Sequence, residues 1–304
     1  LGGKMAPSLT YPLLNHYSTS MKNYFRTLCF LIVLTSGVAC KKEGNPGQAA
    51  DNPDNNPANL VAETKPAVMK GITVNVNSNI GGYVQALPYR YDSTTKHYPL
   101  LVFLHGIGEL GNGADNLMNV AGVGTPLLIK NKQFPASFSV NGKNYSFIVI
   151  TPQFKAWPSA KDVNDMIDFA IKKYRIDTTR IYVSGLSMGG GVTWEYAAAY
   201  ASRVAAIVPI CGASTPNDTK AKKLAQAGVA VWAFHNKDDG TVPYTNSEGY
   251  VARMNNFNAN PKPRLTLWPT GGHDAWTKAT NPNYKENGMN MYEWMLTYQR
   301  VANK

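Results

Sequence analysis

Two periods of hydrophobic patterning divide the chain between residue 72 and the C-terminus. Ile72-Thr73-Val74-Asn75-Val76 alternates apolar with polar, and Gly82-Tyr83-Val84-Gln85-Ala86-Leu87 clusters apolar residues beyond the turn-forming Asn77-Ser78-Asn79. This pair predicts an opening antiparallel hairpin. Beyond it, short continuous apolar runs take turns with longer segments of helical period. Strands are expected over 100–104, 147–150, 180–184, 204–210, 229–234 and 264–268, and helices over 116–130, 162–174, 189–200, 219–227, 246–257 and 289–300. Strands that are apolar on both sides need cover on both faces. The pattern therefore predicts an α/β fold with a mostly parallel central sheet, an antiparallel N-terminal hairpin, helices on both faces and no large lid. Sheets of this kind gather ligands at the carboxyl ends of their strands.

The first 66 residues follow a different pattern. From Met21 the chain reads Met-Lys-Asn-Tyr-Phe-Arg, then an apolar stretch from Thr27 to Val38, then Ala39-Cys40-Lys41-Lys42. A basic start, a short apolar run and small residues before a cysteine form an export signal too short for a comfortable membrane span. The cysteine at the cleavage point resembles a bacterial lipoprotein signal, with Cys40 carrying the lipid. Gly37 stands where that signal usually has leucine, and cleavage without a lipid, giving a secreted soluble protein, is the alternative. Residues 41–66 are rich in Asn, Pro, Gly and Ala and read as a flexible tether. The expected organisation is an upstream extension plus signal over 1–39, a tether over 40–66 from a lipidated Cys40, and one catalytic domain over 67–304. The expected location is anchored to an outer membrane, periplasmic or at the cell surface.

The 304 residues are 44% hydrophobic, enough for one large core. The formal net charge of +11 comes from residues scattered along the chain, with no basic stripe interleaved with aromatics. It reads as a solvated basic surface without a nucleic-acid partner, and leaves attraction to an acidic polymer or an anionic membrane open. Of three cysteines, Cys29 lies in the apolar signal stretch and Cys40 at the processing point. Cys211 follows an apolar run and is expected as a buried free thiol.

Candidate chemistry gathers where the apolar runs end. Ile181-Tyr182-Val183-Ser184 passes into Gly185-Leu186-Ser187-Met188-Gly189, the Gly-x-Ser-x-Gly pattern of a strand-to-helix elbow that exposes a serine nucleophile. The helix after it aims its first N–H groups at the reaction centre, and the N–H of Met188 is placed to hold an oxyanion. A serine nucleophile needs a base, and the base needs an acid to orient it. The loop after 229–234 supplies Asp238 and Asp239, and the loop after 264–268 supplies His273. These follow Ser187 in the order Ser, acid, His. His105 and His235 are expected to hold loops by hydrogen bonds, and Asp238 and Asp274 to brace turns. Trp194 is expected in the core, whereas Trp157 and Trp276 are placed to line a cleft, with burial against the sheet as the alternative. No His, Cys and acid cluster has metal spacing in the sequence, so neither metal nor cofactor is expected.

From about Ile72 onward the chain resembles the α/β-hydrolase superfamily, and within it the secreted carbohydrate esterase family 1, feruloyl-esterase-like proteins and a related set labelled predicted peptidases. The resemblance rests on Leu104-His105-Gly106-Ile107-Gly108-Glu109, Gly185-Leu186-Ser187-Met188-Gly189-Gly190, Asp239-Gly240-Thr241-Val242-Pro243 and Gly272-His273-Asp274-Ala275-Trp276. It implies the α/β-hydrolase fold, Asp239 rather than Asp238 as the acid, and Ile107 with Met188 as the oxyanion pair. Asn236 occupies a position that is often glycine, a departure expected to be tolerated because asparagine accepts positive φ. Glu109 is expected to brace its loop. The implied activity is serine ester hydrolysis, on acetyl or feruloyl esters of plant polysaccharide or its fragments. A peptidase or polyester depolymerase with the same triad, and a noncatalytic glycan-binding lipoprotein, are the alternatives.

Overall fold

The structure, a computed structural model, describes residues 61–300. The expected signal, Cys29, Cys40 and the tether up to residue 60 lie outside the described residues. Residues 61–66 include the buried Glu63, whose carboxylate accepts the Arg90 N–H and whose carbonyl accepts the Ser137 hydroxyl.

Eight strands form one sheet: β1 (Val68–Asn77), β2 (Ile80–Leu87), β3 (Tyr98–Leu104), β6 (Ile148–Phe154), β7 (Ile176–Leu186), β8 (Ala206–Ile210), β9 (Ala230–Asn236) and β10 (Arg264–Trp268). They lie in the order β1-β2-β6-β3-β7-β8-β9-β10. Only β2 runs against its neighbours; from β6 to β10 every pairing is parallel. All six parallel strands thus end at one edge, and β1, parallel to β6, begins at the other.

The parallel strands read as unbroken apolar runs because both faces are covered. On β3, Leu100, Val102 and Leu104 enter one buried cluster while Leu101 and Phe103 enter the other, as a period of two requires. The first cluster lies beneath helices α2 (Ala160–Lys173), α3 (Met188–Ala199), α4 (Asp218–Gln226) and α5 (Thr245–Asn256), which contribute Met166, Trp194, Leu224 and Tyr250. The second is closed by α1 (Gly124–Lys130) and α7 (Met291–Leu296), through Ile129, Tyr292 and Trp294. The remaining short helix is α6 (Trp276–Ala279). Helix α2 starts where Ser159 and Asp162 form a reciprocal capping box.

Two expectations need correction, and one element was not foreseen. The segment 116–130 is a 3₁₀ turn over Leu117–Ala121 followed by α1, because Gly124 interrupts it at φ +56°, where an added Cβ would lie 2.3 Å from the Phe103 ring. The closing helix spans Met291–Leu296 instead of 289–300. Asn290 caps it with Glu293, and beyond it the Arg300 guanidinium donates to the carbonyls of Ala201, Val204 and Ala227, an anchorage outside the helix. An unforeseen hairpin, β4 (Phe138–Val140) with β5 (Lys143–Tyr145), turns through Asn141 and Gly142, both at positive φ.

Candidate active site

Ser187 sits between β7 and α3 with φ 52° and ψ −116°, a strained backbone for a residue with a side chain. Its N–H donates to Ile210 O at 3.0 Å, and its carbonyl accepts from Ala213 N–H at 3.0 Å and Gly191 N–H at 2.9 Å, so β8 and α3 hold the turn. The flanking glycines are dictated by contact. A Cβ on Gly185 would lie 2.7 Å from Leu104 O, and one on Gly189 would lie 2.2 Å from it.

Three loops at the carboxyl edge converge on this serine. His273 Nε2 lies 2.8 Å from Ser187 Oγ, and His273 Nδ1 lies 2.7 Å from Asp239 Oδ2. The His273 side chain is 22% exposed and the Asp239 side chain 0%, so the imidazole reaches solvent while the carboxylate is enclosed. Asp239 Oδ1 accepts the N–H groups of Thr241 at 2.8 Å and Val242 at 2.9 Å. Burial on its own would raise the Asp239 pKa. Hydrogen bonds from His273, Val242 and Thr241 outweigh burial and hold the carboxyl below its ordinary value. The carboxylate therefore stays ionised and fixes the proton of His273 on Nδ1, leaving Nε2 free to accept from the serine.

His235 completes the surroundings of Asp239. Its Nε2 faces Val242 O at 3.0 Å and Asp239 Oδ2 at 3.2 Å, both acceptors, and therefore carries the proton. Its Nδ1 then accepts from Ser247 Oγ at 2.9 Å. Burial pushes the His235 pKa below its usual range, against the pull of Val242 O and Asp239, and the ring stays neutral. The sequence identified it as a residue that holds its loop; its second acceptor, Asp239, had no signature beyond a spacing of four residues.

Asp238, next to Asp239, accepts the N–H groups of Gly271 at 3.1 Å and Gly272 at 2.8 Å and braces the His273 loop. Asn236 does so too, in a way that corrects the expectation. Its backbone ends β9 without positive φ, and its amide donates to Gly272 O at 3.0 Å. Asp274 accepts from the Thr277 N–H at the start of α6.

The loop after β3 lies over the serine. A Cβ on Gly106 would come within 3.9 Å of Ser187 Cβ. The 3₁₀ turn Ile107–Glu109 starts there, with Ile107 59% exposed. His105 accepts the Phe154 N–H at Nε2, and its Nδ1–H donates to Gly106 O at 2.6 Å. Burial lowers its pKa to about 4 and keeps it neutral. Burial raises the Glu109 pKa, against the pull of the N–H groups of Gly106 and of its own backbone. Gln153, fully buried and not singled out in the sequence, donates to Glu109 O and Asn116 O and accepts from Gly113 N–H. A long amide side chain in a strand otherwise polar only at Thr151 was the available clue. The N–H of Met188, first residue of α3, and that of Ile107 have no acceptor among the described residues. Trp276 is half-buried, its ring edge-on to His273 at 5.4 Å, and Trp157 is 53% exposed on the loop after β6.

The fold also brings together what sequence spacing did not. Ligand atoms of Cys211, Asp239 and His273 lie within 4.8 Å of one another. The set does not suit a metal ion: the Asp239 carboxylate is already engaged by four donors, and burial pushes the Cys211 thiol up to about 12.

This sheet order, the strained serine elbow and the three converging loops define the α/β-hydrolase class. Residues 91–281 match the phospholipase/carboxylesterase family, and the chain belongs to that family. Among curated proteins it is 27% identical over 215 residues to the bifunctional acetylxylan esterase/xylanase XynS20E of Neocallimastix patriciarum. That match covers 68% of this chain and 27% of the relative, so the chain spans about a quarter of the relative's length. A solved thermostable esterase is 25% identical with a TM-score of 0.57, covering 77% of this chain and 63% of that one. A ferulic acid esterase structure, 17% identical with a TM-score of 0.50 over 70% of this chain and 93% of its own, shares the fold.

Proposed function

We propose that this protein is a serine esterase in which Ser187, His273 and Asp239 form the triad. The observation that carries the reading is the continuous relay from Ser187 Oγ to His273 at 2.8 Å and from His273 to Asp239 at 2.7 Å. His273 Nε2 takes the serine proton as Oγ bonds to the ester carbonyl carbon. The tetrahedral oxyanion is held by the N–H groups of Ile107 and Met188, each contributing about 3 kcal/mol. Collapse breaks the bond to the alcohol oxygen, which leaves with the proton from His273. Water, deprotonated by the same nitrogen, then cleaves the acyl-enzyme and regenerates Ser187.

The substrate proposed is an acetyl or feruloyl ester of plant polysaccharide or its fragments. The name of the 27% identical relative supports the xylan side of this reading. Trp157, exposed beyond β6, offers a face for a sugar or phenolic ring. No cofactor enters the cycle. We extend the proposal to location: the stretch from Met21 to Cys40 directs export, and a lipid on Cys40 ties the domain to a membrane. Intact mass spectrometry of the exported protein is expected to show a diacylglyceryl mass that Cys40→Ser removes; an unmodified mass would contradict the anchor.

Hydrolysis of p-nitrophenyl acetate, beside acetate and ferulate release from xylan, tests the activity against Ser187→Ala. Turnover that depends on Ser187 is expected on the small ester and on at least one polymer ester. Retained turnover in the variant would refute the nucleophile, and glycan binding without turnover would favour a noncatalytic role.

A further inference from the structure

Exposed large hydrophobic side chains fall into two separate groups. Ile107 and Trp157 stand on loops at the carboxyl edge, whereas Val68, Tyr89 and Met118 surround a cavity of about 540 Å³ beside the start of β1, toward the amino edge. Strand pairing fixes the separation. Met69 lies in the row of Ala86, Val149, Leu101 and Tyr182, and Ser187 is five residues beyond that row, roughly 17 Å along the strands.

The cavity joins an apolar floor to a basic rim. Lys65, Lys130 and Lys132 line it, and none of its lining residues is acidic. Lys65 stands 4.6 Å over the Tyr89 ring and donates to its hydroxyl at 3.3 Å. Among the described residues no carboxylate lies within ion-pair distance of these three ammonium groups. The acid nearest in sequence, Glu63, is buried and accepts the Arg90 N–H instead. Three unpaired cations around exposed apolar and aromatic side chains match phosphate headgroups above acyl chains.

We propose that this amino edge is a peripheral docking surface for an anionic phospholipid bilayer, holding the domain with its catalytic edge facing away. The course of the chain favours this occupant. Lys65, Pro66 and Ala67 line the cavity, so the preceding residues enter the domain here, and they carry the apolar stretch 27–38 and Cys40. Only 25 residues separate Cys40 from Lys65 in the sequence, so a lipid on Cys40 would bring the point where the chain enters the domain to the bilayer. No helix among the described residues is long and apolar enough to cross a membrane. The surface does not depend on the esterase reading.

Hydrogen exchange of the full chain, with and without phosphatidylglycerol vesicles, tests the proposal. Protection is expected in segments 65–70, 88–91 and 117–132, absent with pure phosphatidylcholine vesicles and reversed by high salt. The triple variant Lys65→Glu/Lys130→Glu/Lys132→Glu, with its near-UV circular dichroism unchanged, is expected to bind phosphatidylglycerol vesicles at least roughly 100-fold more weakly. It shares any contribution from residues 27–38 with the wild type, so the difference reports this edge alone. Equal binding by variant and wild type, or vesicle binding without protection of these segments, would overturn the proposal. So would protection by monomeric decyl phosphate but not by vesicles, which would reassign the cavity to a soluble anionic amphiphile.

Discussion

At the carboxyl edge of the sheet, Asp239 accepts three hydrogen bonds and faces His235 Nε2 at 3.2 Å, and His235 and His105 are bonded at both ring nitrogens. At the amino edge, three lysines rim an apolar cavity with no carboxylate partner among the described residues. One end spends its polar groups on one another and the other presents them outward. The first arrangement suits chemistry, where charge must be met by groups already in place. The second suits a large surface that supplies its own counter-charge.

The contrast can be broken first at the serine. Ser187→Ala is expected to lower kcat on p-nitrophenyl acetate by roughly 10⁴-fold or more while the melting temperature stays close to wild type. Asp239→Asn should cost roughly 10³- to 10⁴-fold, because an amide facing His273 favours the wrong tautomer; steady-state kinetics would reveal a smaller loss. His235→Ala removes a donor from Asp239 and Val242 O and strands Ser247, and is expected to cost about 1–3 kcal/mol of stability in denaturant titration. The accompanying loss of kcat should be far smaller than for Asp239→Asn, since His273 keeps its acid.

Acid should separate the two ends. His105 and His235 have pKa values lowered by burial, so the unfolded chain binds their protons first as pH falls. Their contribution is complete above pH 6.5 and is lost on descent; for His105 the loss runs from pH 6.5 to about 4 and reaches roughly 3 kcal/mol. The Asp239 contribution, from a lowered pKa, disappears at still lower pH, as the carboxyl takes up its proton. Hydrogen exchange over that range should loosen the segments around 105 and 235 before β1. The smallest effect is expected at Trp157→Ala, a severalfold rise in KM for feruloylated xylan fragments with p-nitrophenyl acetate unaffected.

The carboxyl edge was legible in the sequence because its demands are local. An apolar β-branched run ending in Gly-x-Ser-x-Gly needs one close approach at each glycine, and the turn after β9 needs acceptors for the N–H groups of Thr241 and Val242. Tertiary contacts were not legible. Gly124 breaks the helical pattern of 116–130 because Phe103, twenty-one positions away, occupies the space. Arg300 leaves the closing helix for carbonyls of Ala201, Val204 and Ala227, and Gln153 is needed only once loop 109–116 has folded over β6. The β4–β5 hairpin did carry an Asn141-Gly142 turn signal, but three-residue strands are too short to show alternation. The amino edge left scattered lysines in the sequence, and only the fold brings Lys65 beside Lys130 and Lys132.

The central claim is that the fold activates one serine among many. Treating the protein with a fluorophosphonate and mapping the adduct by peptide mass spectrometry tests it directly. A single phosphonyl group on Ser187, formed rapidly in the wild type and lost in His273→Ala, is the expected result. Labelling of another residue, or an unmodified Ser187 in folded wild-type protein, would contradict it.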